Sequence, residues 1–131
     1  MNNAYTQYKS RALSTMPQGE LLIKVFDELI KQLLLAELAF KKDKKGVEHE
    51  CLMKAQAILS VLAESLDDSV PVSKELRQLY IFFAHELRDA NLKKDHNKVT
   101  AILPLIKDLR GSFEQAEKMS RTGQQVPAMG V

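Results

Sequence analysis

Over residues 19 to 42 the apolar side chains form two adjacent rows stepped by four: Leu21/Leu22, Val25/Phe26, Leu29/Ile30 and Leu33/Leu34. A row that recurs every three to four residues marks an α-helix with one buried face. Two adjacent rows widen that face beyond what one neighbour covers, so this helix needs partners on several sides. The same spacing returns three more times. Cys51/Leu52, Ala55, Ile58/Leu59, Leu62 and Leu66 predict a helix over residues 47–66. Leu76, Leu79/Tyr80, Phe83, Leu87 and Ala90 predict a third, with Ser73 as its N-cap. Val99, Ile102/Leu103, Ile106, Leu109, Phe113 and Ala116 predict a fourth that starts at the N-cap Asp95 and ends near residue 119. Pro104 lies inside it; the apolar phase crosses the proline unbroken, which predicts a kink and not a break.

The punctuation between these segments is short. Lys41-Lys42-Asp43-Lys44-Lys45-Gly46 puts cations at the negative end of the first helix dipole, followed by a glycine suited to the left-handed cap. Asp67-Asp68-Ser69-Val70-Pro71 breaks the chain after the second helix, and Asn91 is placed to cap the third or adopt a positive φ. Connections of a few residues make successive helices antiparallel neighbours. The fold expected is all-α, an antiparallel up-down four-helix bundle with a short additional N-terminal helix or cap segment. Residues 1–16 form that segment, 17–119 the bundle, and 120–131 a solvated tail.

Composition narrows the function. Nineteen Lys+Arg against 17 Asp+Glu give a formal charge of +2, far from the basic excess of a duplex-binding protein, so no nucleic acid partner is expected. The single cysteine, Cys51, excludes an internal disulfide and suits a reducing compartment; it falls on the buried phase of its helix as a small core residue. Apolar runs are short and Met1-Asn2-Asn3-Ala4-Tyr5 lacks a cationic lead into an apolar stretch, so neither a signal peptide nor membrane insertion is expected, and the cytoplasm is the default.

Catalytic patterns are sparse. A di-iron bundle needs Glu-x-x-His, yet Gly46, Phe82 and Lys93 stand three residues before His49, His85 and His96. No metal or cofactor is expected, and no glycine elbow or phosphate-cradling loop occurs. His85 alone supports a rival, a histidine phosphotransfer bundle: it faces away from the Leu76/Tyr80/Phe83/Leu87 stripe with Arg88 beside it, although Glu86 and Asp89 oppose an arriving phosphate. A purely structural helical adaptor is the other alternative to a binding function. The Lys41–Lys45 cluster reads as a solvated helix end or as a contact for an anionic surface.

What remains is surplus apolar surface. Ile81 and Phe82 fall off the stripe of the third helix and widen its face, as the double row does in the first. Either both are central helices of a tight bundle, or they border a groove that receives an amphipathic helix from another protein. Tyr5 and Tyr8 are placed to cover such a groove.

From Ala4 to Glu117 the sequence resembles the flagellin-specific export chaperones, the FliS family. Ala4-Tyr5-Thr6-Gln7-Tyr8, Gly19-Glu20-Leu21 and Val25-Phe26-Asp27 resemble the family's opening segment and first long helix. Lys54-Ala55-Gln56-Ala57-Ile58-Leu59 with Leu66-Asp67 resembles a second signature; Leu79-Tyr80, Leu87, Ala90-Asn91 and Asp95 resemble the third and most specific; Leu109-Arg110 and Phe113 resemble the closing helix. Phe26, Glu28 and Phe113 stand where the family usually has tyrosine, glycine and tryptophan, and Pro104 is unusual in the last helix.

The resemblance implies a non-enzymatic cytoplasmic chaperone. It would bind the disordered, apolar C-terminal region of flagellin, block premature polymerisation and aid delivery to the flagellar type III export apparatus. An export-gate component is the second partner implied, and the protein itself is expected as a monomer or weak homodimer. The partner-binding residues expected on this basis are Val25, Phe26, Leu29, Tyr80, Phe83, Leu87 and Asn91, with Ile81 and Phe82 at the rim and Tyr5 and Tyr8 as a displaceable cover.

Overall fold

A computed structural model describes residues 18–121. They form four helices: α1 (Gln18–Lys41), α2 (Val47–Glu64), α3 (Ser73–Lys93) and α4 (His96–Arg121). Each helix packs on two others, α1 on α2 and α4, α3 on α2 and α4, so the four close into a ring around one core. Direction follows from the cross-links. Asp27 pairs with Arg110 and Glu37 with Thr100, so α4 descends as α1 rises. The result is the expected antiparallel bundle.

The core is the inner stripe of each helix. Leu22, Phe26, Leu29, Leu33 and Ala36 come from α1, Leu52, Ala55, Leu59 and Leu62 from α2, Leu76, Tyr80, Phe83, Leu87 and Ala90 from α3, and Val99, Ile102, Ile106 and Phe113 from α4. Full burial of a large apolar side chain contributes about 1.5–3 kcal/mol, so this stripe is the main stabilising term. Phe26 sits at its centre, with ring centroids 5.3 Å from Phe113 and 6.4 Å from Tyr80 on the diagonally opposite helix. Cys51 is buried, and burial pushes its thiol up and away from nucleophilic thiolate chemistry. The double row of α1 is only partly core: Val25 and Ile30 are half-buried against it and Leu34 is exposed. A helix that touches two neighbours in a ring keeps its outer side in water.

Turn chemistry differs from expectation in three places. Asp43, not Gly46, takes the left-handed residue after α1 (φ 52), and Gly46 (φ 91) precedes α2. Ser73 is the first residue of α3 and donates its hydroxyl to the Asp67 carbonyl across the turn instead of capping the helix. Asn91 stays helical, and Lys94 (φ 52) ends α3. Asp95 caps α4 as expected, its carboxylate accepting the Asn97 N–H at 3.0 Å. Helix α4 continues through Pro104; Thr100 and Pro104 are exposed, so the carbonyl that loses its helical partner lies toward water.

Candidate binding surface

The α3–α4 contact is the least extensive of the four that close the ring. Its flanks are identified by Lys98 of α4, whose Nζ lies 3.3 Å from Glu86 Oε2 and 3.9 Å from Asp89 Oδ2 of α3. Phe82 precedes Glu86 by one turn and so shares that flank of α3, while Leu105 follows Lys98 by two turns on the facing flank of α4. Both are close to half exposed, Phe82 at 47% and Leu105 at 49%. Leu79 and Leu109, one turn from each, are half-buried and pack on the core beneath. By helical phase the four line one seam, an apolar trough between two helical walls.

The expected site residues distribute unevenly about this trough. Phe26, Leu29, Tyr80, Phe83 and Leu87 lie in the bundle interior, where they pack on one another. A partner reaches them only if the helices part. Val25 is half-buried on α1. Ile81 is exposed, but one residue from Phe82 turns it about 100° around the helix, away from the α4 flank. Among the described residues, Phe82 is the only expected one that lines the open seam. Tyr5 and Tyr8 lie outside the described residues. Leu105 was not singled out by sequence, although it falls off the α4 stripe as Phe82 falls off that of α3.

Asn91 has a different setting. It is buried at the α2–α3 edge, donating from Nδ2 to His49 Nδ1 at 3.0 Å and accepting at Oδ1 from Lys94 Nζ at 2.9 Å. Lys94 also lies 3.5 Å from the buried Glu48 carboxylate, which accepts the Gly46 N–H at 3.4 Å. Burial works to raise the Glu48 carboxyl, but hydrogen bonds from the backbone of Glu48 and Gly46, together with Lys94, outweigh it and hold the group below its ordinary value. This network locks both turns at one end of the bundle. In contrast, the Tyr80 hydroxyl is buried without a hydrogen-bond partner among the described residues, and burial pushes its ionisation well upward.

Catalytic arrangements do not emerge. Among the described residues no group of three or more His, Cys, Asp and Glu side chains could hold a metal. His85 is exposed on α3 and makes no hydrogen bond or ion pair among the described residues. No described helix is long and apolar enough to cross a membrane.

A family model for "Flagellar protein FliS" matches residues 1–120, nearly the whole chain. The chain belongs to the FliS family. It is 27% identical over 121 residues to the flagellar secretion chaperone FliS of Bacillus subtilis (strain 168), an alignment that covers 92% of this chain and 91% of the relative. Over 88 residues it is also 27% identical to the flagellar secretion chaperone FliS of Vibrio cholerae serotype O1, covering 66% of this chain and 65% of that relative. Both relatives are named chaperones, and neither phosphotransfer nor a purely structural role is favoured by that membership.

Proposed function

We infer that this protein is a cytoplasmic chaperone for flagellin: it binds the apolar C-terminal region of the unassembled subunit, keeps it from polymerising and helps deliver it to the flagellar type III export apparatus. The observation that carries the reading, beyond family membership, is the trough along the α3–α4 seam. Phe82 and Leu105 stand open to water in a bundle that buries the central stripe of every helix. Exposed apolar side chains between two helical walls fit the apolar face of a third helix.

A client segment that is disordered when free folds as it docks. Coupled folding of this kind costs about 2–5 kcal/mol of the interaction energy, which holds affinity down for the area buried and permits release at the export apparatus. The protein's own contribution is therefore complementary surface. No bond is made or broken, so the role is not enzymatic, and no cofactor enters it. The buried Phe83 packs its ring 5.9 Å from that of Phe82, Leu87 lies deeper in the core, and Val25 and Ile81 border neighbouring faces. An export-gate component is the second partner in this reading, met by the loaded chaperone as a monomer or weak homodimer.

Titration with a flagellin C-terminal peptide, followed by circular dichroism, tests the proposal. Binding appears as helix content above the sum of the separate components, and Phe82→Ser combined with Leu105→Ser weakens it. Additive spectra at every ratio refute the chaperone reading.

A further inference from the structure

The outer side of α1 carries a second apolar surface of a different kind. Leu34, Leu35 and Leu38 are 46%, 40% and 46% exposed. They stand opposite the core positions Leu29, Leu33 and Ala36 of the same helix. Lysines bracket them at helical spacing: Lys31 one turn before, Lys41 and Lys42 one turn after, all exposed. The turn that follows adds Lys44 and Lys45, also exposed, and then Val47, a further half-exposed apolar residue.

The acids of this region are engaged elsewhere. Asp27 is held by Arg110, Glu28 accepts from Gln32, Glu37 accepts from Thr100, and Glu48 faces Lys94. Asp43 is the one carboxylate within the lysine run, and none of the five lysines forms an ion pair among the described residues. A chain with a formal charge of only +2 thus concentrates unpaired positive charge around a leucine patch.

We propose that this α1 face is a peripheral docking surface for anionic lipid headgroups, with Leu34, Leu35 and Leu38 entering the interface and Lys31, Lys41, Lys42, Lys44 and Lys45 contacting phosphate. Shape decides between occupants. The leucines lie on the outer side of a single helix with no second wall among the described residues, a poor seat for a partner helix but a good match to a flat, deformable interface. Charge points the same way: lysine clusters beside exposed apolar residues bind anionic membranes through summed Coulomb attraction and apolar burial. The contact adsorbs the folded protein without any segment crossing the bilayer. It uses a different helix face from the α3–α4 trough, so it stands whether or not flagellin is the client.

Co-sedimentation of the full chain with vesicles tests it, comparing phosphatidylglycerol and phosphatidylcholine in equal parts with phosphatidylcholine alone. The expected result is retention on the anionic vesicles, weaker by about tenfold or more on the neutral ones and reduced by added salt. Two exposed-site variants, Lys41→Gln/Lys42→Gln/Lys44→Gln/Lys45→Gln and Leu34→Ser/Leu38→Ser, each lower retention by about tenfold while keeping the helical circular dichroism signal. The proposal is overturned by equal retention on both vesicle types, by no retention on either, or by folded variants that bind as well as the parent. A dimer in sedimentation velocity that the leucine variant dissolves, without vesicle binding, assigns the face to a second copy of the chain and likewise overturns it.

Discussion

Lys98 of α4 reaches Glu86 of α3 with 3.3 Å between Nζ and Oε2, and this cross-link determines which sides of the two helices line the seam. As a partly exposed ion pair it contributes about 0–1 kcal/mol to stability. Its importance is positional: the flank that carries Glu86 also carries Phe82, and the flank that carries Lys98 also carries Leu105.

Phe82→Ser with Leu105→Ser should separate binding from folding. Both side chains are half exposed, so the melting temperature should move by only a few degrees, corresponding to roughly 1 kcal/mol. Affinity for a flagellin C-terminal peptide should fall by about tenfold or more, measured by calorimetry. A large loss of stability with unchanged affinity would show that the trough is structural.

Phe83→Ala gives the opposite outcome, although the residue is adjacent in sequence. Phe83 is buried on the inner stripe, and truncation leaves a cavity costing about 3–5 kcal/mol. Urea denaturation should show a much lower midpoint. A shift under about 1 kcal/mol would contradict its placement in the core.

Tyr80→Phe should leave stability unchanged or raise it by about 1 kcal/mol, because the substitution removes a buried hydroxyl that has no partner among the described residues and keeps the ring beside Phe26. Denaturation midpoints of the two proteins decide it. A clear drop would mean that the hydroxyl does have a bond worth keeping.

Acid should weaken the bundle in a defined direction. Glu48 is held below its ordinary value against the effect of burial, Asp67 by hydrogen bonds from Ser69, and Glu114 by Arg110. A depressed carboxyl binds fewer protons folded than unfolded, so its contribution is complete above the ordinary carboxylate range, about pH 4, and disappears as pH falls through the folded value. Urea midpoints should be nearly flat from about pH 7 to 5 and decline below about 4. Glu48→Gln should shrink that decline, and an unchanged acid profile would remove Glu48 from the account.

Asn91→Ala should destabilise the fold by about 0.5–1.5 kcal/mol, since it removes hydrogen bonds to His49 and Lys94, both of which water can still reach. Thermal unfolding measures the loss. Retained stability would assign Asn91 a purely external role.

Much of this architecture is legible from side-chain spacing. Inner stripes such as Leu76/Tyr80/Phe83/Leu87 place α3 and its buried side without any knowledge of neighbours, and the ends of the four helices agree with the sequence to about two residues. The turns were harder. Ser73 looks like a cap in isolation, but its hydroxyl finds the Asp67 carbonyl, a partner supplied by the path of the preceding turn. The candidate surface was legible only in part for a related reason. Periodicity distinguishes Phe82 from Phe83, inner from outer, yet it does not say which outer flank meets another helix. That information resides in cross-links such as Lys98–Glu86, formed only when the bundle assembles. Leu105 escapes for the same reason: it falls off the α4 stripe, and only the assembled bundle sets that outer side beside α3.

Gly19 near the start of α1 lies against the Glu117 side chain near the end of α4. The chain therefore enters and leaves the bundle at one pole, while the lysine-rich turn after α1 lies at the other. A short linker joining these two ends, with new termini opened at Asp43, would yield a circular permutant with the same helical ring. The segments that precede Gln18 and follow Arg121 thus join the bundle at the pole farthest from those lysines.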